Sequence, residues 1–260
     1  MELVIFIIVG IFTGLSAGLL GIGGGIVSVP AMIFLLPYFD VPVSLIMHVA
    51  IATSLALIIP TSLMSAYGHF KHNAIAWHYV RKFVPGLVLG SAVGAGIVTF
   101  LNRETLQPLF AVLLMLIALY MLFPKSSENS SRPVLINDFL PASVIGVISA
   151  LMGVGGGTMT VPYLMWRGLV LPKAIGSSAF CGLPIAVVGS VTLLILNAGN
   201  NPAEAEAGSL IYFPAFWGIL IGAMIFAPVG AGLVPRINAV LLKRIFILML
   251  LVVAIRLLVH

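Results

Sequence analysis

The sequence predicts an all-α, polytopic membrane protein made of two inverted repeats, each a glycine-broken helical hairpin followed by three spanning helices. Three observations carry that prediction. Hydrophobic residues make up 61% of the 260-residue chain and charged residues only 7%, against roughly 25% charged in a typical soluble domain. The apolar runs are long enough for helices, which need about 20 residues to cross a core about 30 Å thick, and they lack the period-two alternation of barrel strands. One unusual stretch also occurs twice. Leu20-Gly21-Ile22-Gly23-Gly24-Gly25-Ile26-Val27-Ser28-Val29-Pro30 returns 132 residues later as Met152-Gly153-Val154-Gly155-Gly156-Gly157-Thr158-Met159-Thr160-Val161-Pro162.

In chain order, apolar segments fall at 3–20, 26–36, 45–66, 83–101 and 106–123, then at 139–152, 158–166, 174–196, 211–233 and 240–258. The first run follows Glu2, where a leader would carry basic residues, so it is read as retained. A polar linker at 124–138, rich in Ser and Pro, divides an N-terminal membrane repeat, 1–123, from a C-terminal one, 139–260. The halves correspond beyond the glycines. Thr53-Ser54 and Pro60 match Ser177-Ser178 and Pro184 at an offset of 124, and Gly86 and Gly90 match Gly218 and Gly222 at 132. Shared residues in shared order indicate a duplication.

Loop charge sets the relative orientation of the halves. The loop at 67–82 carries Lys71, Arg81 and Lys82 with His69, His72 and His78, whereas its counterpart at 197–210 carries only Glu204 and Glu206. The loop at 37–44 has Asp40 alone; its counterpart at 167–173 has Arg167 and Lys173, and 235–244 adds Arg236, Lys243 and Arg244. Basic loops stay on the cytoplasmic side. If each glycine stretch is the bend of a hairpin, each half has an odd count of five segments and every basic loop falls inside. That arrangement inverts the halves and places both termini outside. The net charge of +5 then reflects inside loops, and nucleic acid is not an expected partner.

Within the apolar segments the outstanding feature is how little charge there is. Arg256, close enough to a helix end to snorkel, is the charge read within a span, with Lys243 and Arg244 at the head of the last run counted with the loop before it. No carboxylate pair or Ser/His pair is legible at membrane depth, so no catalytic residues, enzyme activity, cofactor or metal site is expected. His48 reads as an interfacial or packed histidine, the histidines at 69, 72 and 78 as a solvated cluster without ligand spacing, and the single cysteine, Cys181, as a buried packing thiol.

Backbone and hydroxyl groups remain for binding. Successive N–H groups of Gly23, Gly24 and Gly25, and of Gly155, Gly156 and Gly157, can form anion-binding nests, with the following half-helix adding partial positive charge, and Gly21 and Gly153 are counted with the same site. Thr53, Ser54, Ser177 and Ser178 add uncharged donors. The expected ligand is a small anion. Close helix packing is the competing use of such glycines, and it is the reading preferred for Gly90, Gly94 and Gly96. The small residues at 86–96 and 218–232 could also pair two protomers into a homodimer.

The tandem G-x-GGG-x-x-x-VP stretches, each followed by a Ser/Thr pair on the next helix, resemble the TauE/SafE sulfite exporter family over the whole chain. The resemblance implies a multi-pass protein of the bacterial cytoplasmic membrane that moves sulfite, organosulfonates or related organic acids. It places the family's glycine-rich stretches on Gly21 to Pro30 and Gly153 to Pro162. With only Cys181, the chain departs from the cysteine-rich thiosulfate transporters grouped near the family. The expected function is therefore a secondary transporter of small sulfur-containing anions, in a lipid bilayer. A carrier of a small organic carboxylate and a non-transporting membrane assembly protein are the alternatives.

Overall fold

A computed structural model describes residues 2–20, 23–71, 73–122, 138–197, 210–233 and 239–259. Among them the regular elements are helices: α1 (Glu2–Leu20), α2 (Gly25–Leu35), α3 (Ile46–Lys71), α4 (Trp77–Phe100), α5 (Arg103–Leu122), α6 (Phe139–Leu151), α7 (Gly157–Trp166), α8 (Leu171–Asn197), α9 (Phe213–Leu233) and α10 (Ala239–Val259), with one 3-10 turn at Leu36–Tyr38. Five of these helices fall in each half. Four stretches among the described residues, on α3, α4, α8 and α9, are long and apolar enough to cross a membrane. Val4, Phe12, Ile195, Ile225 and Leu248 stand at least half exposed on the outer surface, where lipid rather than water satisfies them.

Several helices overrun the segments read from hydropathy. The loop placed at 67–82 is mostly helix, since α3 continues to Lys71 and α4 starts at Trp77. Arg81 and Lys82 therefore lie on the first turns of α4. Lys243 and Arg244, assigned to a loop at 235–244, likewise belong to α10. Apolarity marks the part of a helix inside hydrocarbon, whereas its hydrogen-bond ladder continues into the interface, where Trp, Tyr and basic residues are at home. Gly21, His72, Glu204, Glu206, Arg236 and the linker up to residue 137 lie outside the described residues. Asp138, counted with the linker, is a buried residue immediately before α6.

Contacts between element ends define two faces. On the first, Phe6 near the start of α1 meets Phe39 beyond the end of α2, with ring centroids 5.5 Å apart, and both rings touch Tyr212, which precedes α9. The Tyr212 hydroxyl donates to a carboxylate oxygen of Glu2 at 2.7 Å. On the second face, Arg167 beyond the end of α7 pairs with Asp138 before α6 at 2.9 Å, and lies against Tyr79 at the start of α4. Each glycine stretch is thus the bend of a hairpin whose two ends return to one level. The 26 residues of α3 separate these levels by about 39 Å at 1.5 Å per residue.

Small residues hold the hairpins in place. A Cβ on Gly10 would stand 2.5 Å from the Ile219 carbonyl oxygen, and one on Gly222 2.5 Å from that of Ile7, so α1 and α9 touch backbone to backbone. Gly86, Gly90 and Gly94 meet the carbonyls of Phe139, Ser143 and Val147 in the same way, joining α4 to α6. The packing use of Gly90 and Gly94 holds. Gly96 makes only an ordinary contact, with Leu196. Each first helix of a half therefore packs on the fourth helix of the other half. The small-residue stripes suggested for pairing two protomers are occupied inside the chain.

Candidate functional site

Glycine makes both breaks possible. Gly24 (φ 78°) and Gly156 (φ 73°) are the residues before α2 and α7, both left-handed and without any side-chain cap on the helix they start. Gly23 (φ 76°) and Gly153 (φ 61°) are left-handed as well. A Cβ would be strained at all four. With 11 residues in α2 and 10 in α7, each half-helix is about 15–17 Å long, roughly half of a hydrocarbon core about 30 Å thick. Both breaks consequently lie near mid-depth, and the first amides of each half-helix have no intrahelical partner.

The two breaks touch. A Cβ on Gly25 would stand 2.5 Å from the Gly153 carbonyl oxygen and 2.9 Å from the Val154 Cα, and one on Gly23 would stand 3.8 Å from the Gly155 Cα. Ile58 of α3 wedges between them, 3.1 Å from a Cβ on Gly25 and 2.9 Å from one on Gly155. Ser62 Oγ stands 2.8 Å from the place of a Cβ on Gly182 and 3.9 Å from that on Gly23. Gly23 and Gly25 of the first stretch therefore meet Gly153 and Gly155 of the second, about half of the chain away.

The hydroxyl pairs divide their roles. Thr53 Oγ1 accepts from the backbone N–H of Tyr212 at 3.0 Å, and Ser177 Oγ accepts from that of Ala76 at 2.8 Å. Each thus stabilises the start of the fourth helix of the opposite half, α9 and α4, as a cap supplied from another helix. The second member of the first pair, Ser54, faces the break of the other half. Ser54 Oγ donates to the Gly153 carbonyl at 2.7 Å and lies 2.9 Å from Ser28 Oγ. Because a serine has one proton to give, Ser28 is the donor in that pair. Ser28 and Ser54 are thereby satisfied, whereas Thr13 Oγ1, on α1 beside Gly24, is buried without a partner.

In half two the corresponding hydroxyls are Thr160, which matches Ser28, and Ser178, which matches Ser54. Thr160 Oγ1 and Ser178 Oγ are buried, at 0% and 1% residue exposure, and neither has a hydrogen-bond partner. The oxygens of Ser149 and Thr160 stand 3.4 and 3.5 Å from where a Cβ on Gly156 would be. At the first break, by contrast, Thr13 meets Gly24 through its methyl group. An uncapped helix N-terminus beside unpartnered hydroxyl donors suits an oxyanion. Sequence reasoning passed over Ser28, Thr160, Ser149 and Ser62; for the first two the signal was present, a hydroxyl at one motif position in both copies.

Other residues fall outside the junction. His48 Nε2 lies 3.1 and 3.0 Å from the carbonyls of Val98 and Leu101 and serves the end of α4. Cys181 is buried among apolar side chains of α4, α6 and α8. Arg256 lies 4.6 Å from the Phe34 ring centroid. A crevice lined by Glu2, Leu3, Phe213, Pro214 and Trp217 opens at the first face, away from the breaks. No group of three metal-ligating side chains occurs among the described residues.

Apolar helices in hairpins, half-crossing segments and uncapped breaks at mid-depth define a helical membrane protein of the transporter class. The chain belongs to the Sulfite exporter TauE/SafE family, whose sequence model matches residues 6–257. It is 36% identical over 251 residues to a "Probable membrane transporter protein" of Haemophilus influenzae, covering 96% of this chain and 95% of that one. It is also 29% identical over 216 residues to the Bacillus subtilis protein YunE (75% and 79% covered) and 30% identical over 190 residues to a protein of Methanocaldococcus jannaschii (72% and 70% covered), both of the same description. No solved structure matches the chain.

Proposed function

We propose that this membrane transporter carries small sulfur-containing oxyanions, sulfite or an organosulfonate, across a bacterial-type cytoplasmic membrane by alternating access. The anion sits where the two breaks meet, held by the first amides of α7 and by the Thr160 and Ser178 hydroxyls, with the glycines of both stretches allowing its close approach. One observation carries this reading: Thr160 Oγ1, beside Gly156 at the second break, is fully buried without a partner, and so is Ser178 Oγ on α8. Each such unmade hydrogen bond costs about 1–3 kcal/mol, and an anion would restore them. The family's description as sulfite exporters favours sulfur over other oxyanions. A site built of dipoles instead of charges also releases its ligand.

We further infer that the halves are inverted repeats. In support, the α1–α2 hairpin has its ends at the level of Glu2, Phe39 and Tyr212, and the α6–α7 hairpin at the level of Tyr79, Asp138 and Arg167. Those levels lie at opposite ends of α3. Rocking of one repeat against the other would separate the touching breaks and expose the site to one side at a time.

Counterflow in proteoliposomes tests the function. Purified protein preloaded with unlabelled sulfite should accumulate labelled sulfite, saturably, and methanesulfonate should compete. Accumulation driven only by lactate or another carboxylate would move the substrate class, and absence of counterflow with any of these anions would favour the non-transporting alternative.

A further inference from the structure

The interior holds one charged cluster that the central site does not use. The side chains of Arg167 and Asp138 are only 3% and 5% exposed, at the mouth of the α6–α7 hairpin. Asp138 is well supplied: its Oδ1 accepts from the Tyr163 hydroxyl at 3.0 Å, and both of its oxygens are within 3.0 Å of Arg167 Nη2. Arg167 is not. Its Nε and Nη1 are buried without any partner, while the Tyr79 and Tyr163 rings lie 6.0 and 5.9 Å from the guanidinium carbon. A clasp joining the two ends of the hairpin needs one guanidinium nitrogen, and a lysine would serve. A buried guanidinium with donors left over on two of its three nitrogens fits a partner that the described residues do not supply.

We propose that Arg167, between Tyr79 and Tyr163 and held by Asp138, is a second anion-binding site at the mouth of the second hairpin, taking a small oxyanion such as sulfite. The unpartnered nitrogens supply charge-assisted donors. Asp138 offsets the buried charge while the site is empty, and weakens it, because the carboxylate repels the anion it competes with. Gly168, left-handed at φ 88° and exposed, adjoins Arg167 and opens the short turn to α8. The site is separate from the break, since a half-helix of 10 residues lies between them. It stands on the surroundings of Arg167 and does not depend on transport.

Equilibrium binding of radiolabelled sulfite to the purified protein tests the proposal, because its two substitutions have opposite expected signs. The parent should bind one sulfite more than a variant that lacks this site. Arg167→Gln should remove that binding step, whereas Asp138→Asn should tighten it at least threefold by removing the competing carboxylate. The double variant Asp138→Asn, Arg167→Gln leaves no unpaired charge, so it should fold as the parent does and bind one sulfite fewer. A purely structural clasp predicts that Asp138→Asn and Arg167→Gln weaken binding alike, and that result would overturn the proposal. Unchanged stoichiometry in the folded double variant, or no sulfite bound by the parent, would overturn it too.

Discussion

Ser54 and Ser178 occupy the same position of the repeat, but Ser54 is bonded to Ser28 and Gly153 whereas Ser178 has no partner. Their removal should therefore have different consequences. Ser54→Ala leaves the buried Gly153 carbonyl unpaired and should lower stability by about 1–2 kcal/mol, read as thermal unfolding without anion. Ser178→Ala should leave the unfolding temperature unchanged or raised, and should weaken sulfite binding about tenfold, the worth of one hydrogen bond to a charged group. A second contrast concerns glycines. Gly25→Ala puts a methyl group against the Gly153 carbonyl and should abolish transport in protein that still inserts. Gly68→Ala, with nothing within 4 Å, should keep full transport and gain up to about 1 kcal/mol from helix propensity. The glycines were legible in the sequence because they repeat. The division of labour within Thr53-Ser54 was not, since the partner of Thr53 is an amide 159 residues away, and adjacent hydroxyls on a helix look alike until the neighbouring helices are placed.

At the scale of elements, the hairpins follow from left-handed glycines, and their seats from small residues on the helices they lie against. The existence and order of the ten helices among the described residues could be read from the apolar runs. Their ends could not, because hydropathy reports the hydrocarbon layer and the helices extend through the interface on either side. The partner of each helix was hidden as well: a row of small residues shows that a helix approaches something closely, and Gly86, Gly90, Gly218 and Gly222 alone cannot say what. Two predictions belong here. Thr53→Ala or Ser177→Ala removes a tertiary cap from α9 or α4 and should cost about 1 kcal/mol in thermal unfolding with little change in transport rate. Gly90→Val drives a branched side chain into the Ser143 carbonyl of α6 and should yield no folded protein, assayed as loss of the monodisperse peak in detergent.

For the whole molecule, contacts group the described loops around 71–82, 167–173 and Asp40 at two levels, although the loop limits read from hydropathy were wrong. The basic regions around 71–82 and 167–173 meet at one level, as the Arg167–Tyr79 and Ala76–Ser177 contacts require. The region around Asp40 lies at the other, where Phe39 meets Phe6 and Tyr212. In a Cys181→Ser background, a cysteine replacing exposed Val43 should react with an impermeant thiol reagent from one side of the membrane, and one replacing exposed Asn73 from the other. What composition could not reveal was the asymmetry inside this near-symmetric frame, where Ser28 and Ser54 are bonded into the junction and their counterparts Thr160 and Ser178 are left open. That asymmetry is the central claim, and diffraction from crystals grown with selenite, a sulfite analogue with an anomalous scatterer, tests it most directly. The account predicts an anomalous peak at the N-terminus of α7 with selenite oxygens about 2.5–3 Å from Thr160 Oγ1 and Ser178 Oγ. A peak centred on Ser28 and Ser54, or none at either break in protein that transports sulfite, would contradict it.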